Sequence, residues 1–101
     1  MKVIINGVKY DTSTATCIGV YSYVCGSNLD RSREELYQKK NGEFFLYGEG
    51  GPFSIYAAHS GYDFWGTNSM IIPMMGAEAR EWAERHCSVE DYEAVFGVVA
   101  E

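Results

Sequence analysis

Glu35-Leu36-Tyr37-Gln38-Lys39-Lys40-Asn41-Gly42-Glu43-Phe44-Phe45-Leu46-Tyr47 reads as two strands folded back on one another. Asn-Gly is the preferred centre of a two-residue type I′ turn, because both positions need positive φ and the turn's twist matches that of the strands. Four aromatic side chains, Tyr37, Phe44, Phe45 and Tyr47, with leucine beside them, make this hairpin the centre of a sheet.

Working outward, residues 2–10 repeat the device. Val3-Ile4-Ile5 is a β-branched run, Asn6-Gly7 turns, and Val8-Lys9-Tyr10 returns. Asp11 to Thr14 is turn chemistry. Ala15 to Val24, rich in Thr, Ile, Val and Tyr, predicts a third strand closed by Gly26-Ser27-Asn28. The polar stretch Asp30 to Arg33 reads as a loop. Gly48-Glu49-Gly50-Gly51-Pro52 ends the central hairpin, Phe53 to His59 reads as a short helix, and Ser60 to Ser69 as a loop. Met70-Ile71-Ile72-Pro73 predicts a last strand stopped by Pro73, which cannot donate to a ladder and so fits an edge or an end.

Two helices close the chain. Ala79, Trp82, Ala83 and His86 follow helical spacing, which turns Trp82 toward the sheet. Ser88 is a good N-cap for the second helix, with Asp91 three residues on. Val89, Tyr92, Val95 and Phe96 line one face of it, and Gly97 suits its end. The expected fold is a single α+β domain over residues 1–101, an antiparallel sheet of about five strands with two Asn-Gly hairpins followed by two C-terminal helices.

Composition narrows the function. Acidic residues outnumber basic ones by 14 to 8, and the excess is uneven. Residues 1–77 carry seven acids and six bases, whereas residues 78–101 carry seven acids and two bases, a net charge of −5. Helical spacing turns Glu78, Glu81, Glu84, Glu90 and Glu93 outward, with Asp91 near them, as one negative face. Such a face repels nucleic-acid phosphates and is steered toward basic surfaces, although acids also serve simply to keep a small domain soluble. The longest apolar runs are too short to span a bilayer, so no membrane role is expected. The N-terminus lacks a signal-peptide pattern, and the reading is cytoplasmic. Three cysteines, an odd number, do not suit a secreted disulfide framework.

No motif for catalysis emerges, and no catalytic residues are expected. Gly48-Glu49-Gly50-Gly51 resembles a phosphate loop only superficially, because Glu49 would face the phosphates and Pro52 follows at once. Glu49 is more at home in a turn or a partner-contact loop. Cys17, Cys25, His59, His86 and Cys87 are numerous enough to hold zinc but lack chelating spacing. No cofactor is therefore expected, with zinc on Cys17, Cys25, His86 and Cys87 as the alternative. Arg31, Arg33, Lys39 and Lys40 form the one basic cluster, suited to RNA or to guarding a strand edge. In the loop Tyr62-Asp63-Phe64-Trp65-Gly66, Trp65 is the natural interface anchor if exposed.

The stretches Ile4-Ile5-Asn6-Gly7, Tyr10-Asp11-Thr12, Leu36-Tyr37, Phe45-Leu46-Tyr47-Gly48-Glu49-Gly50-Gly51, Ile71-Ile72-Pro73 and Glu78-Ala79-Arg80-Glu81-Trp82-Ala83-Glu84 resemble a family of small mobile-element and prophage proteins of Gram-positive bacteria. That family is similar to anti-CRISPR proteins that inhibit type II (Cas9-type) effectors. The chain departs from the pattern at Cys87, where relatives often have Leu, so the resemblance implies no shared cysteine metal site. It implies a bacterial cytoplasmic inhibitor that binds a Cas9-type nuclease stoichiometrically and blocks nucleic-acid loading or cleavage, without binding DNA itself. Glu78, Glu81, Glu84, Glu90, Asp91, Glu93, Glu49 and Trp65 are the expected partner-binding residues. The alternatives are an accessory interaction module of a mobile element, or a small zinc-binding protein.

Overall fold

A computed structural model describes residues 1–23, 32–50 and 68–101. The order is β1 (Lys2–Ile5), β2 (Val8–Asp11), β3 (Thr16–Tyr23), β4 (Ser32–Gln38), β5 (Phe44–Gly50), β6 (Asn68–Met74), α1 (Gly76–His86) and α2 (Val89–Phe96). The α+β class follows directly. The strands divide into an antiparallel four-stranded sheet, β3-β4-β5-β6, and a separate β1-β2 ribbon. The central position of the β4–β5 hairpin is as its composition predicts.

The reason for that composition lies in alternation along β5. Phe44 and Leu46 face the helices, where Leu36, Leu46, Ala79, Trp82 and Ala83 are buried with Phe96 and Tyr92 packed against them. Phe45 and Tyr47 face the other way, where Phe45 and Ile71 are buried with Tyr10. A strand covered on both faces has no polar side, so its apolar residues run continuously rather than alternating. The sheet is thus the middle of three layers, with helices on one face and the β1-β2 ribbon on the other. Tyr10 meets Phe45 edge-on at 5.5 Å between centroids, and Tyr37 stacks on Phe45 at 5.3 Å.

The two Asn-Gly turns are different. Asn6 and Gly7 both have positive φ, at 51° and 77°, as a type I′ turn requires. At the second, only Gly42 does (φ 94°). Here the Gly42 N–H donates to the Lys39 carbonyl at 2.9 Å and the Lys39 N–H to the Glu43 carbonyl at 2.7 Å. This is the three-residue loop with a glycine bulge, not the predicted two-residue turn. Asn41 is held by its own side chain, whose oxygen accepts the Glu43 N–H at 3.0 Å.

Further expectations are changed or refined. Ser32 and Arg33 belong to β4 because the end of β5 supplies ladder partners for them, Gly50 and Glu49; Arg33 is exposed and Ser32 buried. Gly48, Glu49 and Gly50 are the end of β5, and their backbone pairs on both sides, with β4 and with β6. A backbone committed to two ladders cannot cradle phosphate. Pro73 lies inside β6 opposite Phe45. Of the edge or end that its missing N–H allows, the edge holds: among the described strands β6 is outermost. Asn68 and Ser69 likewise belong to β6 and not to the preceding loop. The predicted Gly26–Asn28 turn and Phe53–His59 helix, with Arg31 and the Tyr62–Gly66 loop, lie outside the described residues. No helix among the described residues is long and apolar enough to cross a membrane.

The helical layer sits very close to β3, which is bulged between Cys17 and Gly19. A Cβ at Gly19 would lie 2.6 Å from Cys87 Sγ and 3.4 Å from the Trp82 ring. Gly19→Ala is therefore expected to destabilise by about 1–3 kcal/mol through overpacking. Adding Cys87→Ala should recover part of that loss, because the sulfur is the atom in the way. Urea midpoints of the two single variants and the double variant measure the coupling; additive effects would show that the two residues do not touch.

Candidate functional site

α1 begins at Met75, whose N–H donates to Glu78 Oε1 at 2.8 Å. A carboxylate there satisfies an otherwise orphan donor and meets the positive end of the helix dipole. Ala79, Trp82 and Ala83 face inward, as the spacing predicts. The Trp82 indole N–H also donates to Glu34 Oε1 on β4 at 2.8 Å, tying helix to sheet. His86 stacks on Tyr21 at 3.8 Å and meets Trp82 edge-on at 5.0 Å.

α2 follows almost at once. Ser88 caps it, its Oγ accepting the Asp91 N–H at 3.1 Å. Tyr92 and Phe96 turn inward, with Phe96 stacked on Phe44 at 5.4 Å. Gly97 ends the helix at φ 95°, and its N–H reaches the Glu93 carbonyl at 3.0 Å. Val89 departs from expectation. It is 68% exposed, because the first turn of α2 projects beyond the sheet-facing stripe.

The structure brings the six predicted helical acids onto this one layer and gives them different tasks. Glu78 is part of a helix cap. Glu81 pairs with Arg85 at 2.6 Å. Glu93 accepts the Val99 N–H at 3.0 Å and so pins the tail. Glu84 and Glu90 are exposed and form no ion pair among the described residues. Asp91 is exposed as well, its backbone engaged in the cap. Arg80 lies over the Phe96 ring at 5.6 Å. Both bases of this quarter are thus occupied, one by Glu81 and one by an aromatic face.

Glu49 does not join this group. It lies on the opposite face of the sheet, where its carboxylate accepts the Tyr47 hydroxyl at 2.8 Å. Trp65 and Cys25 lie outside the described residues. Among the described residues no three of His, Cys, Asp and Glu gather as a metal site. Burial pushes the thiols of Cys17 and Cys87 up, which disfavours the thiolate a metal or an electrophile requires.

The sequence reading missed a polar network on the far face of the sheet. Arg33 Nε donates to Glu35 Oε2 at 2.8 Å and the Tyr37 hydroxyl to Glu35 Oε1 at 2.7 Å. Residues two apart on a strand share a face, so Arg33, Glu35 and Tyr37 carried this signal. Two members of the basic cluster are accordingly engaged, Arg33 on Glu35, and Lys39 on Glu43 at 3.1 Å and on the Tyr10 ring at 3.8 Å, while Lys40 is exposed. Burial would raise the Glu35 carboxyl, but the bonds from Tyr37 and Arg33 outweigh it and hold it below its ordinary value. Burial, and then the bond to Glu49, push Tyr47 up to about 12; burial and Glu35 push Tyr37 up further.

Compared with family models, curated proteins and solved structures, the chain matches none. Its function must be argued from this geometry and from the motifs themselves.

The pH dependence follows from the shifts. Asp11, held low by the Ser13 hydroxyl and N–H, and Glu43, held low by Asn41 and Lys39, behave like Glu35. Their stabilisation is complete above the ordinary carboxylate values of 3.8 and 4.5 and is lost as pH falls through the depressed ones. The tyrosines act in the opposite sense. Tyr47 contributes fully below its ordinary 10.0, and that contribution is lost as pH rises toward about 12. Urea midpoints should therefore fall at both ends of the pH scale. Glu49→Gln should move the Tyr47 ionisation, followed by phenolate absorbance, back toward 10.0; an unmoved ionisation would mean the pair is not formed.

Proposed function

We propose that this protein is a stoichiometric binder that lays its acidic helical layer on a basic surface of a nucleic-acid-handling protein. The observation that carries the reading is the exposure of Glu84, Glu90 and Asp91 on a layer where both bases are already engaged. Exposed like charges on one face add their fields, and a complementary basic surface feels them before contact. The same field repels phosphates, so the partner is the protein and not its nucleic acid.

The resemblance supports, as that partner, a type II, Cas9-type effector in the bacterial cytoplasm. RNA-guided nucleases hold their heteroduplex in a strongly positive channel, and an acidic layer docked there competes with guide or target loading. No cofactor enters this reading, since occupancy of the channel is itself the inhibition.

Glu84→Lys with Glu90→Lys tests the face without touching the Glu78 cap, the Glu81–Arg85 pair or the Glu93–Val99 bond. The double variant is expected to fold normally and to associate at least about tenfold more slowly with the effector, with the parent's rate falling steeply as salt rises. Stopped-flow association and plasmid-interference assays read both effects. Undiminished inhibition by the variant would remove the acidic face from the mechanism. A parent that neither binds nor inhibits any type II effector, with or without guide RNA, would remove the partner.

A further inference from the structure

We infer that the groove between the end of α1, α2 and the C-terminal tail seats an apolar side chain from a partner segment flanked by Lys or Arg. This inference rests on the binding role proposed above and specifies the chemistry of the segment bound.

The groove arises from how α2 is held. A helix of eight residues has no stability of its own and depends on packing. Tyr92 and Phe96 supply that packing on one side only. After Gly97 the tail returns along the helix and is pinned by the Val99 N–H on Glu93 Oε2 at 3.0 Å. Between them lies a groove of about 720 Å³, a volume typical of ligand-binding clefts. Its apolar lining includes Val89, Tyr92, Val98 and Val99. Three of these are left open to water, Val89 at 68%, Val98 at 89% and Val99 at 55%. Isolated exposed aliphatics are ordinary; three gathered in one concave surface mark a contact site.

The rim decides the occupant. The charged residues lining the groove are Glu84, Glu93 and Glu101, and none is basic. An apolar side chain entering between carboxylates is favoured when its own neighbours are cationic, and disfavoured when they are anionic. A peptide segment with an aliphatic or aromatic anchor between Lys or Arg residues satisfies both the floor and the rim. The apolar anchor supplies the lasting contact, and the charges set orientation and rate.

The probe is a short synthetic peptide with two leucines flanked by Lys and Arg, titrated into the full chain at low salt and followed by amide NMR. Two control peptides replace either the leucines by serine or the basic residues by glutamate. The expected result is saturable shifts at Val89, Tyr92, Val98 and Val99, with both control peptides bound far more weakly. Val89→Ser with Val98→Ser, both at exposed positions that preserve charge and fold, should weaken the parent peptide about tenfold. Shifts confined to other surfaces, equal binding of the leucine-free peptide, or no effect of the serine pair would each overturn the inference. The larger reading is judged separately. If the peptide occupies the groove while Glu84→Lys with Glu90→Lys leaves effector binding intact, the groove stands and the effector-docking face falls. If effector docking depends on those glutamates while the peptide leaves the groove unshifted, the groove alone falls.

Discussion

Phe45 and Leu46 are neighbours on β5, point to opposite faces of the sheet, and are both shut off from water. That single constraint organises the rest. A strand that is apolar on both sides must be covered on both sides, so the sheet needs a layer above and a layer below. The helices provide one through Trp82, Ala79 and Ala83. The β1-β2 ribbon provides the other through Tyr10 and its edge-on contact with Phe45. The ribbon is too small to be stable alone, and it is held by the aromatic face it covers.

The same layering sorts the charges. Within the sheet, Arg33, Glu35, Tyr37, Tyr47 and Glu49 satisfy one another over the part of the far face beyond the buried cluster. Their hydrogen bonds leave little net field. On the helical layer the opposite holds, because α1 and α2 turn their polar sides to water and present more acids than bases can neutralise. A cap, an ion pair and a tail contact consume Glu78, Glu81 and Glu93. What remains, Glu84, Glu90 and Asp91, is a smaller and better-defined acidic surface than the count of acids suggests. The bases likewise go to local work, with Lys39 held between Glu43 and the Tyr10 ring.

Local rules were legible wherever a residue's role depends on its immediate neighbours. Asn6-Gly7, Ser88 with Asp91, and Gly97 read correctly because turn and cap chemistry act within a few residues. The spacing of Ala79, Trp82 and Ala83 found the buried side of α1 for the same reason. The readings that changed depended on partners distant in sequence. Nothing near Ser32 or Gly48 announces that β4 and β5 extend that far; ladder partners distant in sequence decide it. Pro73 fits an edge or an end, and only the strand order decides for the edge. Glu49 reads as a residue of a turn or partner-contact loop, yet its ladder partners put it in β5 and strand parity turns it to the side of the sheet away from the helical acids.

By itself, then, the amino-acid order determined the α+β class, the two hairpins, the caps of the second helix and the concentration of acid near the C-terminus. Each of these rests on short-range geometry or simple composition. Only the tertiary structure decided which acids remain exposed, that Arg33, Lys39 and Arg85 are already paired, and that Val89, Val98 and Val99 share one groove. Those properties depend on which surfaces the layers cover, and covering is a matter of contacts between segments far apart in the chain.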